Sequence, residues 1–138
     1  MTFGRRAITI CAVMISMIAL WGCAFTSSER IKLRDLDFTI LSDDKIPEEL
    51  MQMIEEKKQG EFQFTYSDNE FLYICVGYGE QKSGGYCVLV DDLYLTDTAI
   101  YACVSLLGPE LGVKSNDTVS YPYIVIKTEY LEETVVFE

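Results

Sequence analysis

The chain reads as an α+β protein, β-rich, with a mostly antiparallel sheet and one amphipathic helix packed on it. Three observations predict this. Short segments rich in aromatic and β-branched residues follow one another along most of the chain. One segment alone, Pro47 to Gln59, combines helical spacing with matched ends. Almost no helix separates the later strands, so neighbours are expected to pair as antiparallel hairpins. The length of 138 residues fits one domain. With 49% hydrophobic and 24% charged residues, that domain is globular rather than disordered.

In chain order, Leu36 to Leu41 alternates apolar and polar residues and is the first expected strand. Pro47 suits a helix start because the amide hydrogen it lacks would be unsatisfied there anyway. Glu48 and Glu49 complement the positive end of the helix dipole, Lys57 and Lys58 the negative end. Gly60 is expected in the left-handed position after the last turn. Ile46, Leu50, Met53, Ile54 and the stem of Lys57 form the stripe that faces the sheet. Glu61 to Tyr66 alternates cleanly, and Ser67-Asp68-Asn69 has turn chemistry. Phe71 to Tyr78, Tyr86 to Leu95, Ala99 to Leu107, Tyr121 to Thr128 and Thr134 to Phe137 complete the strands.

The N-terminus has the pattern of an export signal. Met1 to Arg6 is basic, and Ala7 to Trp21 is apolar apart from Thr9 and Ser16. That run suits a signal core better than a full membrane span. Leu20-Trp21-Gly22-Cys23 then resembles the bacterial lipobox, in which the cysteine becomes the lipidated first residue; Trp21 replaces the usual small residue. Cleavage after Ala24 and an uncleaved anchor are the alternatives, and all three place the domain outside the cytoplasm. The expected organisation is therefore a signal peptide over 1–22, a lipidated Cys23 with its tether over 23–34, and one domain over 35–138.

Composition excludes much chemistry. Twenty-two acids against 11 bases give a net charge of −11, unsuited to nucleic acid. With no histidine, Ser-His, Cys-His and His-metal sites are absent. Cys75, Cys87 and Cys103 are odd in number and form no C-x-x-C pair, so free thiols are expected, with one disulfide as the alternative. Asp91-Asp92 and Asp97 match no calcium loop and read as a solvated strand end; no metal or cofactor is expected.

Three penicillin-recognising motifs occur in order: Ser42-Asp43-Asp44-Lys45 as S-x-x-K, Ser67-Asp68-Asn69 as S-D-N, and Lys82-Ser83-Gly84 as K-S/T-G. A serine acyl-transferase is thus one alternative function. Pro47 opposes it, because the residue before proline leaves helical geometry and strands Lys45 outside the helix. A small-ligand-binding lipoprotein is the other alternative, with no polar cluster to support it.

Gly79-Glu80-Gln81-Lys82-Ser83-Gly84-Gly85-Tyr86 lies between two strong strands and reads as a tight hairpin turn, with Tyr86 opening the return strand. Ser120-Tyr121-Pro122-Tyr123-Ile124-Val125-Ile126-Lys127 opens a later strand with proline just inside it. The pairing of G-x-x-x-S/T-G-G-Y with S-Y-P-Y-x-V-I-K resembles the C-terminal domain family of the protease complex subunit PrcB, over about Phe71 to Phe137. The resemblance implies a non-catalytic domain that binds another envelope protein, a surface protease being the example in the family's name. Ser83, Gly84, Gly85, Tyr86, Tyr121 and Pro122 are then the candidate partner-binding residues. Cys23→Ala is expected to leave the chain unacylated and to move it out of the membrane fraction. Full membrane retention with an intact signal would establish the uncleaved anchor instead.

Overall fold

The computed structural model describes residues 30–110 and 117–138. The expected signal peptide, Cys23 and most of the tether lie outside the described residues. Strands β1 (Lys32–Asp35) and β2 (Phe38–Ile40) come first, then a 3-10 turn (Asp43–Lys45) and helix α1 (Glu48–Lys57). Strands β3 (Glu61–Ser67), β4 (Phe71–Tyr78), β5 (Cys87–Thr96), β6 (Ala99–Leu107), β7 (Tyr123–Glu129) and β8 (Thr134–Phe137) follow. The α+β class holds. The strands divide between two four-stranded sheets, β1-β5-β6-β8 and β2-β7-β4-β3, and every pair but β6–β8 is antiparallel.

Two separate cores result. Leu72, Ile74 and Val76 of β4, Leu93 and Leu95 of β5, Ile100 of β6 and Ile126 of β7 pack between the sheets. Leu50 and Ile54 of α1 pack with Tyr73, Cys75 and Val125 on the far face of the second sheet. The order of layers is therefore helix, sheet, sheet. Strand β4 is covered on both faces, which explains its unbroken burial from Leu72 to Gly77.

Several local expectations are corrected. The first expected strand, Leu36 to Leu41, shortens to β2 because Leu36 turns into the inter-sheet core, where its N–H donates to the Leu93 carbonyl, and β1 is an added strand before it. Lys32 to Arg34, expected to be tether, thus belongs to β1. On α1, Met51 rather than Met53 packs against the helix-side core, and Pro47 is the capping residue just outside the first turn. Gly60 is not left-handed; Gly79, which follows β4 and packs against Gly60, is, at φ +74°.

Asp91 and Asp92 do not mark a strand end. They sit within β5 where its pairing with β6 slips between Val90 and Asp92. The bulge absorbs one residue, so Val88 and Val90 before it and Leu93 and Leu95 after it all face the core. Without it, a strict alternation would turn one of those pairs to solvent. The turns are closed by side chains. Asp68 Oδ1 accepts from the Glu70 and Phe71 N–H groups, with Asn69 left-handed at φ 70°. Those bonds, the Phe71 N–H first, hold the Asp68 carboxyl below its ordinary range. Between β5 and β6, Thr96 Oγ1 donates to the Ala99 carbonyl and accepts from the Thr98 and Ala99 N–H groups.

Gly77 is required by a close approach. It pairs with Phe62 across β3–β4, and a Cβ there would lie 2.2 Å from Phe62 Cε1. Phe62 is itself buried, so its ring covers the glycine with little room to move. Gly77→Ala is expected to cost about 1–3 kcal/mol in urea unfolding, as overpacking does. In Phe62→Ala, where the obstructing ring is gone, the same Gly77→Ala change should cost much less. Equal costs in the two backgrounds would show that the ring does not set the requirement.

Candidate functional site

Four connections cross between the sheets, β1–β2, β4–β5, β6–β7 and β7–β8, and the β4–β5 and β6–β7 crossings meet at one end of the molecule. Residues 79–86 carry the chain from β4 in one sheet to β5 in the other, and the segment between β6 and β7, described at 108–110 and 117–122, leads back. The expected tight hairpin at Gly84-Gly85 is therefore a sheet-to-sheet crossing, and β5 begins at Cys87 rather than Tyr86. β4 cannot pair with β5 because its two edges are already taken by β3 and β7.

The two crossings are bonded to each other. Gln81 and Ser120 exchange backbone hydrogen bonds of 2.8 and 3.1 Å. The Ser120 hydroxyl donates to the Ser83 carbonyl at 2.6 Å, and Gln81 Nε2 donates to the Tyr78 carbonyl at 3.2 Å. Tyr78 N–H in turn donates to the Pro122 carbonyl at 3.0 Å. Pro122 contributes this acceptor just before β7, where its missing N–H interrupts no ladder. The end of the helix joins the cluster: Glu80 N–H donates to the Gln59 carbonyl, Tyr121 Oη donates to Glu80 Oε1 at 3.3 Å, and Lys58 Nζ lies 5.5 Å from the Tyr121 ring.

All six candidate residues lie at this junction. The Ser83 hydroxyl donates to the Gly84 carbonyl at 3.2 Å. Gly85 has φ +88° and is exposed, and a Cβ on it would meet Pro109 Cβ at 3.0 Å. The Tyr86 ring lies beside Gly108, 3.5 Å from where a Cβ would stand there. The sequence argument missed Gln81, Pro109 and Ser120 as members of the cluster. Ser120 had a signal, since it opens the S-Y-P-Y segment. Gln81 and Pro109 had none, because their contacts are made across the fold. Beside the junction, burial and then the Asp43 carboxylate push the Tyr123 hydroxyl well above its ordinary range, with Tyr123 Oη donating to Asp43 Oδ1 at 2.7 Å.

The three penicillin-type motifs are not gathered into one site. Ser67-Asp68-Asn69 lies before β4 and Lys82-Ser83-Gly84 after it. A strand of that length holds them about 25 Å apart. The Ser42 hydroxyl donates to Asp44 Oδ1 at 2.6 Å, and Asp68 is occupied by its own turn. Among the described residues no three of His, Cys, Asp and Glu are grouped to hold a metal ion.

The three cysteines among the described residues are free, and they differ in access: Cys75 is buried, Cys103 half-buried and Cys87 exposed. Burial against the helix pushes the Cys75 thiol up to about 12. At pH 8, iodoacetamide is expected to label Cys87 in the native chain and to reach Cys75 only after denaturation, as read by peptide mass spectrometry. Native labelling of Cys75 would contradict the helix-covered face.

A family model described as PrcB C-terminal matches residues 72–129. No curated protein and no solved structure gives a match. The matched segment runs from β4 to the end of β7 and contains both crossings with the junction they form. Over residues 72–129 the chain is similar to the PrcB C-terminal family, the family that its motif pair resembles.

Proposed function

We propose that this chain is a membrane-anchored, extracytoplasmic, non-catalytic module that binds another envelope protein as a subunit of a protease complex. The observation that carries the reading is the meeting of the two motif segments. Residues far apart in sequence, Ser83 to Tyr86 and Ser120 to Pro122, are hydrogen-bonded into one junction within the family segment. Such a junction offers a partner shaped backbone and two tyrosine rings, Tyr86 and Tyr121, at low entropic cost. Its hydroxyls are engaged with carbonyl and carboxylate oxygens, a pattern suited to holding a surface in shape rather than to nucleophilic attack. The protease association is supported by the family's name, and the envelope location by the signal and lipobox pattern.

The test is a crosslinked pull-down from the cell envelope with the full chain and its Gly85→Val variant. A β-branched residue at φ +88° is strained and collides with Pro109, so the variant should reshape the junction. A specific partner captured by the unaltered chain and lost in the variant, with thermal unfolding within a few degrees of the original, is the expected result. Unchanged capture with unchanged stability would leave the junction without a binding role.

A further inference from the structure

We propose that the free edge of β3 is a strand-addition site for an extended, cationic segment of the partner protein. The inference rests on the partner-binding reading and names the chemistry of what binds. Among the described residues four strands lie at sheet edges: β1, β8, β2 and β3. Edges are normally protected by shortness, bulges, lysine or proline. β1 and β8 have four residues each and β2 has three, and β1 also carries a register shift beside Lys32. β3 differs. It has seven residues, EFQFTYS, in unbroken register with β4 and without lysine, arginine or proline.

Its outward groups can be assigned. Tyr78 N–H points away from β3, toward the Pro122 carbonyl, so its partner Glu61 is in a non-bonded pair of the β3–β4 ladder. At the other end Asp68 N–H bonds to the Phe71 carbonyl, which places Phe62, Phe64 and Tyr66 in the bonded pairs by alternation. Glu61, Gln63, Thr65 and Ser67 therefore direct their amides and carbonyls to the open edge.

The surroundings specify the occupant. Open clefts of about 400 and 500 Å³ run beside β3. The first is lined in part by Glu61, Gln63 and Tyr78, the second by Thr65, Ser67, Glu132 and Glu133. Their charged lining is Glu61, Glu132 and Glu133, with no lysine or arginine. On the opposite, helix-facing side stand Phe64 and Tyr66, both half-buried, with Lys57 Nζ 6.0 Å from the Phe64 ring. Side chains of an added strand alternate between these two faces. Those beside Gln63 and Thr65 meet carboxylates and are cationic; those beside Phe64 and Tyr66 meet aromatic rings and are apolar. A second copy of the chain is the poorer occupant, because it brings the same three glutamates and a net charge of −11.

The probe is a nine-residue peptide alternating lysine and valine, labelled for fluorescence anisotropy and titrated into the full chain. Two controls are its glutamate–valine counterpart and a peptide of the same composition with the lysines in one block. The alternating cationic peptide should bind best, at least about tenfold over either control, and slow hydrogen exchange at Gln63 and Thr65 but not at Phe64. Thr65→Pro removes an outward N–H without touching a β4 bond and should weaken binding by about tenfold. The double variant Glu132→Gln, Glu133→Gln should weaken it severalfold and flatten its salt dependence. Equal binding of the blocked peptide, no change in exchange at Gln63 and Thr65, or undiminished binding by Thr65→Pro would overturn the proposal. A dimer in sedimentation that Thr65→Pro abolishes would also overturn it, assigning the edge to a second copy. Capture of the same envelope partner by Thr65→Pro as by the unaltered chain would overturn the edge while leaving the partner-binding reading intact. Peptide binding with exchange protection, but no envelope partner, would uphold the edge and defeat that reading.

Discussion

Strand β4 has no face turned to water. Leu72, Ile74 and Val76 point into the core between the sheets, while Tyr73 and Cys75 point into the core beneath α1. A strand buried on both sides must have both of its edges hydrogen-bonded, because an unpaired buried backbone group is costly. β3 and β7 supply those bonds, and the arrangement of the remaining elements follows. Helix α1 covers one side of β4, and β5 with β6 covers the other. With its edges occupied, β4 passes the chain not into a neighbouring hairpin but across to the second sheet.

That crossing is tied to a second one. The end where 79–86 passes from sheet to sheet is also where residues 117–122 lead into β7, and the two are held together by the Gln81–Ser120 and Ser83–Ser120 bonds. At the other end, the Asp68 and Thr96 side chains close two compact hairpins, and the β1–β2 and β7–β8 connections cross between the sheets. The junction lies within the residues that the family model matches. The junction adjoins β3, since Gly79 packs on the Gln59–Glu61 backbone that leads into it. The crossing and the open edge thus form neighbouring surfaces, anchored by the same glycine.

The β5 bulge carries the opposite face of the inter-sheet core. Two adjacent aspartates within a buried strand would break the inward alternation. By letting both acids oppose a single partner position, the bulge keeps four aliphatic residues on one side. Charge and packing are reconciled by backbone geometry instead of by a change of residue type.

The sequence by itself determined most element positions. The bounds of β4, β6 and β8 follow directly from their apolar runs, and those of β3, β5 and β7 to within two residues, because alternation and turn residues are local properties of the chain. The helix was legible from Pro47, its terminal charges and the Leu50–Ile54 stripe. The candidate residues were legible as motifs, though not as a cluster. Tertiary structure alone decided that there are two sheets, that the glycine-rich segment crosses between them, and that Ser120 reaches Ser83. A two-residue period states which side chains share a face; it carries no record of which strand lies beside which. Partner choice depends on the joint burial of faces distant in sequence, so Pro109 against Gly85, or the unpaired edge of β3, exists only once the layers have closed.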